Sequence, residues 1–124
     1  GQWLQREQGV MALDGVEAGR LFGTEFSMTK AQRLDYGESL MTHAMVLQGV
    51  NLDRNGQPDR WRVENSWGKD TGKDGYFVMS DDWFSEFTYQ VVVHKKYLTP
   101  EQRALLDQEP IELKPWDPMG SLAL

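Results

Sequence analysis

Apolar residues run almost without interruption from Leu40 to Val50 and stop at a dense polar stretch, Asn51 to Asp59. The run is well short of the roughly 18–20 residues needed to span a bilayer. Its Leu, Met, Val and Ala content, with Gly49 near its end, predicts a strand buried on both faces. After the polar stretch the pattern changes to strict alternation: Trp61, Val63 and Asn65 on one side, Arg62 and Glu64 on the other. That is the mark of a strand with one dry and one wet face. Asn55-Gly56 between the two segments is a strong turn signal, so the pair reads as a β-hairpin.

The flanks are read by the same rules. From Gly1 to Phe26, glycines recur among short mixed segments and suggest loops and turns. Thr29 and Gln32 have capping-box spacing, which predicts a helix over about residues 30–35 ending before Gly37. Gly68 to Gly75 is a polar, glycine-rich turn, and Tyr76 to Met79 a short strand. Ser80-Asp81-Asp82 reads as a turn, and Phe87 to Val93 as a further strand. Thr99, Pro100 and Gln102 form a second helix start, with the helix ending before Pro110. Pro110, Pro115 and Pro118 keep the last residues extended, and the apolar end Leu122-Ala123-Leu124 is expected to dock, since a disordered tail is ordinarily more polar. The expected architecture is α+β: a β-rich unit over residues 1–109, built as a small antiparallel sheet or partial barrel with two short helices, and an extended arm over 110–124.

Composition narrows the function classes. A chain of 124 residues predicts one domain, and five Trp, five Phe and four Tyr supply a core. The formal net charge of -6 argues against a nucleic-acid or anionic-membrane binder. With no cysteine, a disulfide framework and a thiolate metal site are excluded, and a cytoplasmic location is expected. No signal peptide is legible at the N-terminus, and the missing initiator Met fits a chain that starts partway through a gene product. The two histidines, without a flanking carboxylate pattern, predict no metal site, and no cofactor is implied.

Chemistry concentrates at His43 and Asn65. A histidine on a strand and an asparagine at the start of the next loop are two members of a Cys-His-Asn set. There the imidazole takes the thiol proton and the asparagine carbonyl orients the ring. The third member, a cysteine, does not occur in the chain. Geometry adds a condition: a tight Asn55-Gly56 turn would put His43 opposite Gly68, and so on the other face of the sheet from Asn65. The two can meet only if the loop is longer or a strand carries a bulge. Taken singly, a strand histidine is ordinarily structural, an asparagine before a turn is a turn former, and Trp67 is core. His94 and the Asp81-Asp82 pair stay with such readings.

Four motifs carry a resemblance. The runs from Glu38 to Met45, Trp61 to Gly68, Trp83 to Glu86 and Pro115 to Gly120 closely resemble the bleomycin hydrolase or aminopeptidase C family of papain-like cysteine peptidases. The likeness extends from about Met28 to the end. It implies the β-rich half of a papain-like fold, with His43 as catalytic histidine, Asn65 as its orienting partner and Trp67 as the indole shielding their hydrogen bond. It also implies that the nucleophilic cysteine and the oxyanion-hole glutamine belong to a missing N-terminal part. The family's tail enters its own cleft, so Leu124, with Ala123 beside it, would recognise the free amino group of peptide substrates. A homo-hexameric ring would be the assembly. The contrasting expectation is a non-catalytic binding or assembly module built on the peptidase fold.

Overall fold

The computed structural model describes residues 4–13 and 28–119. Among them lie five strands: β1 (Leu4–Gln5), β2 (Val10–Met11), β3 (Val46–Leu52), β4 (Pro58–Glu64) and β5 (Tyr76–Ser80). They form one sheet in the order β1-β2-β5-β4-β3. Helices α1 (Lys30–Asp35), α2 (Asp81–Phe87) and α3 (Pro100–Leu105) and a 3-10 turn at Lys95–Tyr97 complete the regular structure. The expected β-rich α+β architecture is present. The sheet is mixed, because β2 runs parallel to β5, with Val10 beside Val78 and Met11 beside Met79. That pairing joins segments far apart in sequence and leaves no local turn signal to read.

Three element assignments change. The strand expected from Leu40 starts at Val46, and all of its residues are exposed instead of doubly buried. β3 is the sheet's edge strand, so its apolar residues have a neighbour on one side only. Ser80 to Asp82 is a strand-to-helix junction: Ser80 takes the extended N-cap conformation, and Asp81 and Asp82 fill the acid-favouring first turn of α2. The same residue types serve turns and N-caps, and only the following Trp83-Phe84 separates the two. The apolar run after Phe87 forms no strand, since it finds no ladder partner among the described strands. By contrast, both capping boxes form, at Thr29–Gln32 and Thr99–Gln102.

The β3–β4 hairpin carries the feature that places the site. Its loop is longer than the tight turn: the Asp53 N–H donates to the Gln57 carbonyl at 2.7 Å, with Gly56 at φ 77° closing the bend. The Asp53 carboxylate accepts from the backbone N–H groups of Asn55 and Gln57 at 2.8 and 2.9 Å. Those bonds, that from Gln57 foremost, hold its pKa below the ordinary value of 3.8. Asp59 and then Gln48 interrupt the ladder. Gly49 faces Arg62, but Leu47 faces Val63, so Gln48 has no opposite number. One extra residue reverses which face each following side chain takes. The reversal made by Asp59 on β4 is undone by Gln48 on β3, and Leu47 opposite Val63 returns to the register that Leu52 and Pro58 set at the loop. Beyond Gln48, Leu47 lies opposite Val63, Met45 packs against the core and His43 meets Asn65.

That face is the core. Met11, Val63, Phe77, Met79 and Trp83 are buried there, with Trp61, Trp67, Met45 and Phe84 packed around them. Burying each side chain of this kind contributes about 1.5–3 kcal/mol. α2 covers β4 and β5. Trp61 stacks on Phe84 at 4.8 Å and donates its indole N–H to Asp81 at 2.8 Å. α2 has no basic residue in its last turn, and α1 supplies the cations instead. Lys30 reaches the carbonyls of Ser85 and Thr88 at 2.7 and 2.6 Å, and Arg33 reaches the Glu86 carboxylate at 2.5 Å.

The N-terminal hairpin is latched to the loop after β4 by two glycines. A Cβ on Gly72 would lie 2.5 Å from the Tyr76 carbonyl oxygen and 3.1 Å from the Phe77 ring, and one on Gly9 would lie 2.8 Å from the Gly72 Cα. Gly72→Ala is therefore expected to cost about 1–2 kcal/mol for its left-handed backbone plus about 1–3 kcal/mol for the overlap. Gly56→Ala, with a similar φ but open space, should cost the first amount alone. Urea midpoints of the two variants at unchanged slope measure the difference; equal shifts would show that the close approach carries no energy.

Candidate active site

His43 and Asn65 come to the same place by different routes. Asn65 follows the last residue of β4 and is 7% exposed, its backbone N–H donating to the Gly75 carbonyl at 3.0 Å. His43 lies on the irregular approach to β3 and is exposed. Its Nε2 is 2.8 Å from the Asn65 Oδ1. The backbone N–H of Ser66 donates to the same oxygen, also at 2.8 Å.

The second bond settles the chemistry of the first. A backbone N–H can only donate, so the atom it meets is the amide oxygen and not the amide nitrogen. Nε2 approaches that same acceptor, and so Nε2 carries a hydrogen. The neutral ring is then the Nε2–H tautomer, with the lone pair on Nδ1. Among the described residues nothing hydrogen-bonds Nδ1. The arrangement is a histidine held by one nitrogen and open at the other, which suits proton exchange with a group brought to Nδ1.

Trp67 lies against the imidazole, ring centroids 4.8 Å apart and planes 24° from parallel. Phe77 meets the indole edge-on at 6.1 Å, and the Arg6 guanidinium lies 4.2 Å from its centroid. The apolar ring beside the His43–Asn65 contact lowers the local dielectric and so strengthens the hydrogen bond. The Asn65 Nδ2 is buried and finds no acceptor among the described residues.

The other candidates separate from this group. His94 caps the 3-10 turn, its Nδ1 accepting from the Lys96 N–H at 3.1 Å, and Asp82 accepts from the Trp83 N–H at 2.7 Å; both are structural contacts. Among the described residues no cluster of His, Asp or Glu could hold a metal ion. No helix among them is long and apolar enough to cross a membrane. Ala123 and Leu124 lie outside the described residues. Sequence reasoning missed Arg6, which reaches Trp67 from the far end of the chain without any local signal, and the Ser66 N–H, implicit in an asparagine that opens a turn.

Sheet order, bulge and helix placement define the β-rich half of a papain-like peptidase. The sequence pattern of the peptidase C1-like family matches residues 1–120, and the chain belongs to that family. It is 58% identical over its whole length to the aminopeptidase C of Listeria monocytogenes, covering 28% of that protein. Over 100 residues, 78% of the chain, it is 58% identical to the bleomycin hydrolase of Gallus gallus, covering 22% of it. Its fold superposes on the crystal structure of PepW from Lactobacillus rhamnosis HN001 with a TM-score of 0.89 and 54% identity, over 97% of this chain and 27% of that one. The chain thus spans between 22% and 28% of the length of these relatives.

The shared oxygen makes a spectroscopic prediction. Long-range proton–nitrogen spectra should show the neutral His43 ring as one tautomer, with the hydrogen on Nε2. In Asn65→Leu the acceptor is gone, and the ring should relax to a mixture of tautomers. A wild-type ring already mixed would rule out the Asn65 bond as its anchor.

Proposed function

We propose that this chain is the C-terminal part of a cysteine-type aminopeptidase, supplying the histidine and asparagine to a cysteine carried by the preceding part of the same protein. The observation that carries the reading is the ring of His43, fixed through Nε2 by Asn65 and open at Nδ1. In the complete enzyme Nδ1 takes the thiol proton, leaving a thiolate beside an imidazolium. The thiolate adds to the carbonyl carbon after the substrate's N-terminal residue. As the tetrahedral adduct collapses, Nδ1–H protonates the departing amine and the C–N bond breaks, leaving an acyl-thioester. Water then gives a proton to Nδ1 and its oxygen to the acyl carbon, which releases the amino acid and the thiol. Asn65 keeps the ring aligned through both transfers, and Trp67 shields the bond that does so.

The rest of the reading follows the family resemblance. The substrates are short or unfolded peptides with a free N-terminus, and the assembly is a homo-hexamer working in the cytoplasm. The terminal carboxylate of Leu124, with Ala123 beside it, pairs with the substrate's α-ammonium and blocks longer passage through the cleft. The relatives' names, aminopeptidase C and bleomycin hydrolase, support this class of reaction.

The test uses the complete protein and an aminoacyl amide. His43→Ala should lower kcat by roughly 10²–10⁴-fold, the range for losing general acid–base catalysis. The 124-residue chain alone should neither hydrolyse the amide nor react with iodoacetamide. Thiol-sensitive hydrolysis by the chain alone, or an active His43→Ala enzyme, overturns the reading.

The arm is tested separately. Deleting Ser121 to Leu124 from the complete enzyme should let cleavage move into peptide interiors and allow N-blocked peptides to be cut. Mass spectrometry of the products reads the cut positions, and end-specificity kept after the deletion assigns the arm to packing alone.

A further inference from the structure

His43 belongs to no strand and is exposed, so two groups orient its ring: Asn65 at one nitrogen and Trp67 against one face. Whatever fixes the indole therefore helps fix the imidazole. Phe77 touches the indole edge-on from the core. On its surface side the indole meets the guanidinium of exposed Arg6, 4.2 Å from the ring centroid. Among the described residues that guanidinium makes no ion pair, and the indole is the group it meets.

Arg6 is delivered there by backbone. It lies in the turn between β1 and β2, and its carbonyl accepts from the Gly72 N–H at 3.0 Å. The Gly9 carbonyl accepts from the Val78 N–H at 2.8 Å. The approach of Gly9 to Gly72 leaves no room for a Cβ on either. The N-terminal hairpin is thereby fixed to the loop that begins at Trp67, and the arginine reaches the indole from a rigid base. A guanidinium is well matched to this contact, being planar, weakly hydrated and attracted to the π face of an indole.

We propose that Arg6 is a positioning residue for His43, acting through a cation–aromatic contact with Trp67. The inference rests on the aminopeptidase reading given above. Arg6 meets neither substrate nor cysteine in this role. It restricts the indole to one placement, and the indole then holds the imidazole where Nδ1 can serve both proton transfers. Misplacement of about 1 Å at such a group costs up to 10²-fold in rate, so a modest loosening is readable in kcat.

The experiment compares Arg6→Ala, Arg6→Lys and Arg6→Met in the complete enzyme. Arg6→Ala should lower kcat about three- to tenfold with KM unchanged, and should slow alkylation of the active cysteine by iodoacetamide by a similar factor. Arg6→Lys, which keeps a cation over the ring, should recover most of the loss; Arg6→Met, which keeps length but no charge, should not. Thermal midpoints should stay together, since the Arg6 carbonyl that anchors the turn is retained in every variant. Unchanged kcat in Arg6→Ala overturns the proposal. So does a loss carried by KM or by a matching fall in stability, and so does full recovery by Arg6→Met. An active His43→Ala enzyme would bring down the reading of the site and this inference with it. An inactive one beside unaffected Arg6 variants removes this inference alone.

Discussion

The site depends on the parity of one β-ladder. Side chains in a strand alternate between faces, so the side from which the chain leaves β3 toward His43 is decided by whether the number of residues back to the turn is odd or even relative to the partner strand. The loop sets that parity at Leu52 opposite Pro58, the unpaired Asp59 on β4 reverses it, and the unpaired Gln48 on β3 restores it. Upstream of Gln48 the chain turns His43 toward Val63 and Asn65; without that residue the imidazole would emerge on the opposite side of the sheet. No hydrogen bond at the site could offset such an error, because it displaces the side chain by the thickness of the sheet. The bulge is thus prior to the 2.8 Å contact between His43 and Asn65.

The contact in turn is oriented by backbone more than by side chains. An asparagine amide can rotate by half a turn with little change in shape, and would then offer His43 a donor instead of an acceptor. The Ser66 N–H prevents this, because only the oxygen satisfies it. The same economy holds at the other side of the imidazole, where the indole of Trp67 is stacked under the ring and the glycine latch governs what reaches that indole. In both cases a flexible functional group is set by a main-chain group that has no alternative position.

What is legible in the sequence follows from whether a signal is local. The capping boxes at Thr29 and Thr99, the alternation through Trp61 and Val63, and the turn at Asn55-Gly56 are all short-range patterns, and all appear in the structure. Local rules also identify the parity problem and name a bulge as one way out, but they do not say which residue is left over. The start of α2 reads as a turn because Ser and Asp satisfy a turn and a helix N-terminus with the same bonds. The apolar run before Val50 reads as doubly buried because composition records that a strand is apolar, not whether a second layer lies over it. The parallel β2–β5 pairing and the Arg6–Trp67 contact are long-range, and nothing near those residues announces them.

The edge strand has a bearing on the fate of the chain in isolation. β3 ends the sheet with a full row of main-chain donors and acceptors unpaired by any further described strand, and with Val46, Leu47, Val50 and Leu52 exposed along it. Natural edges are usually blunted by lysine, proline or an inward charge, and this one has only the kink at Gln48. Left uncovered, such an edge is a template for pairing with another copy of itself, which is the first step toward fibrillar stacking. For the chain on its own, self-association along this edge therefore competes with solubility.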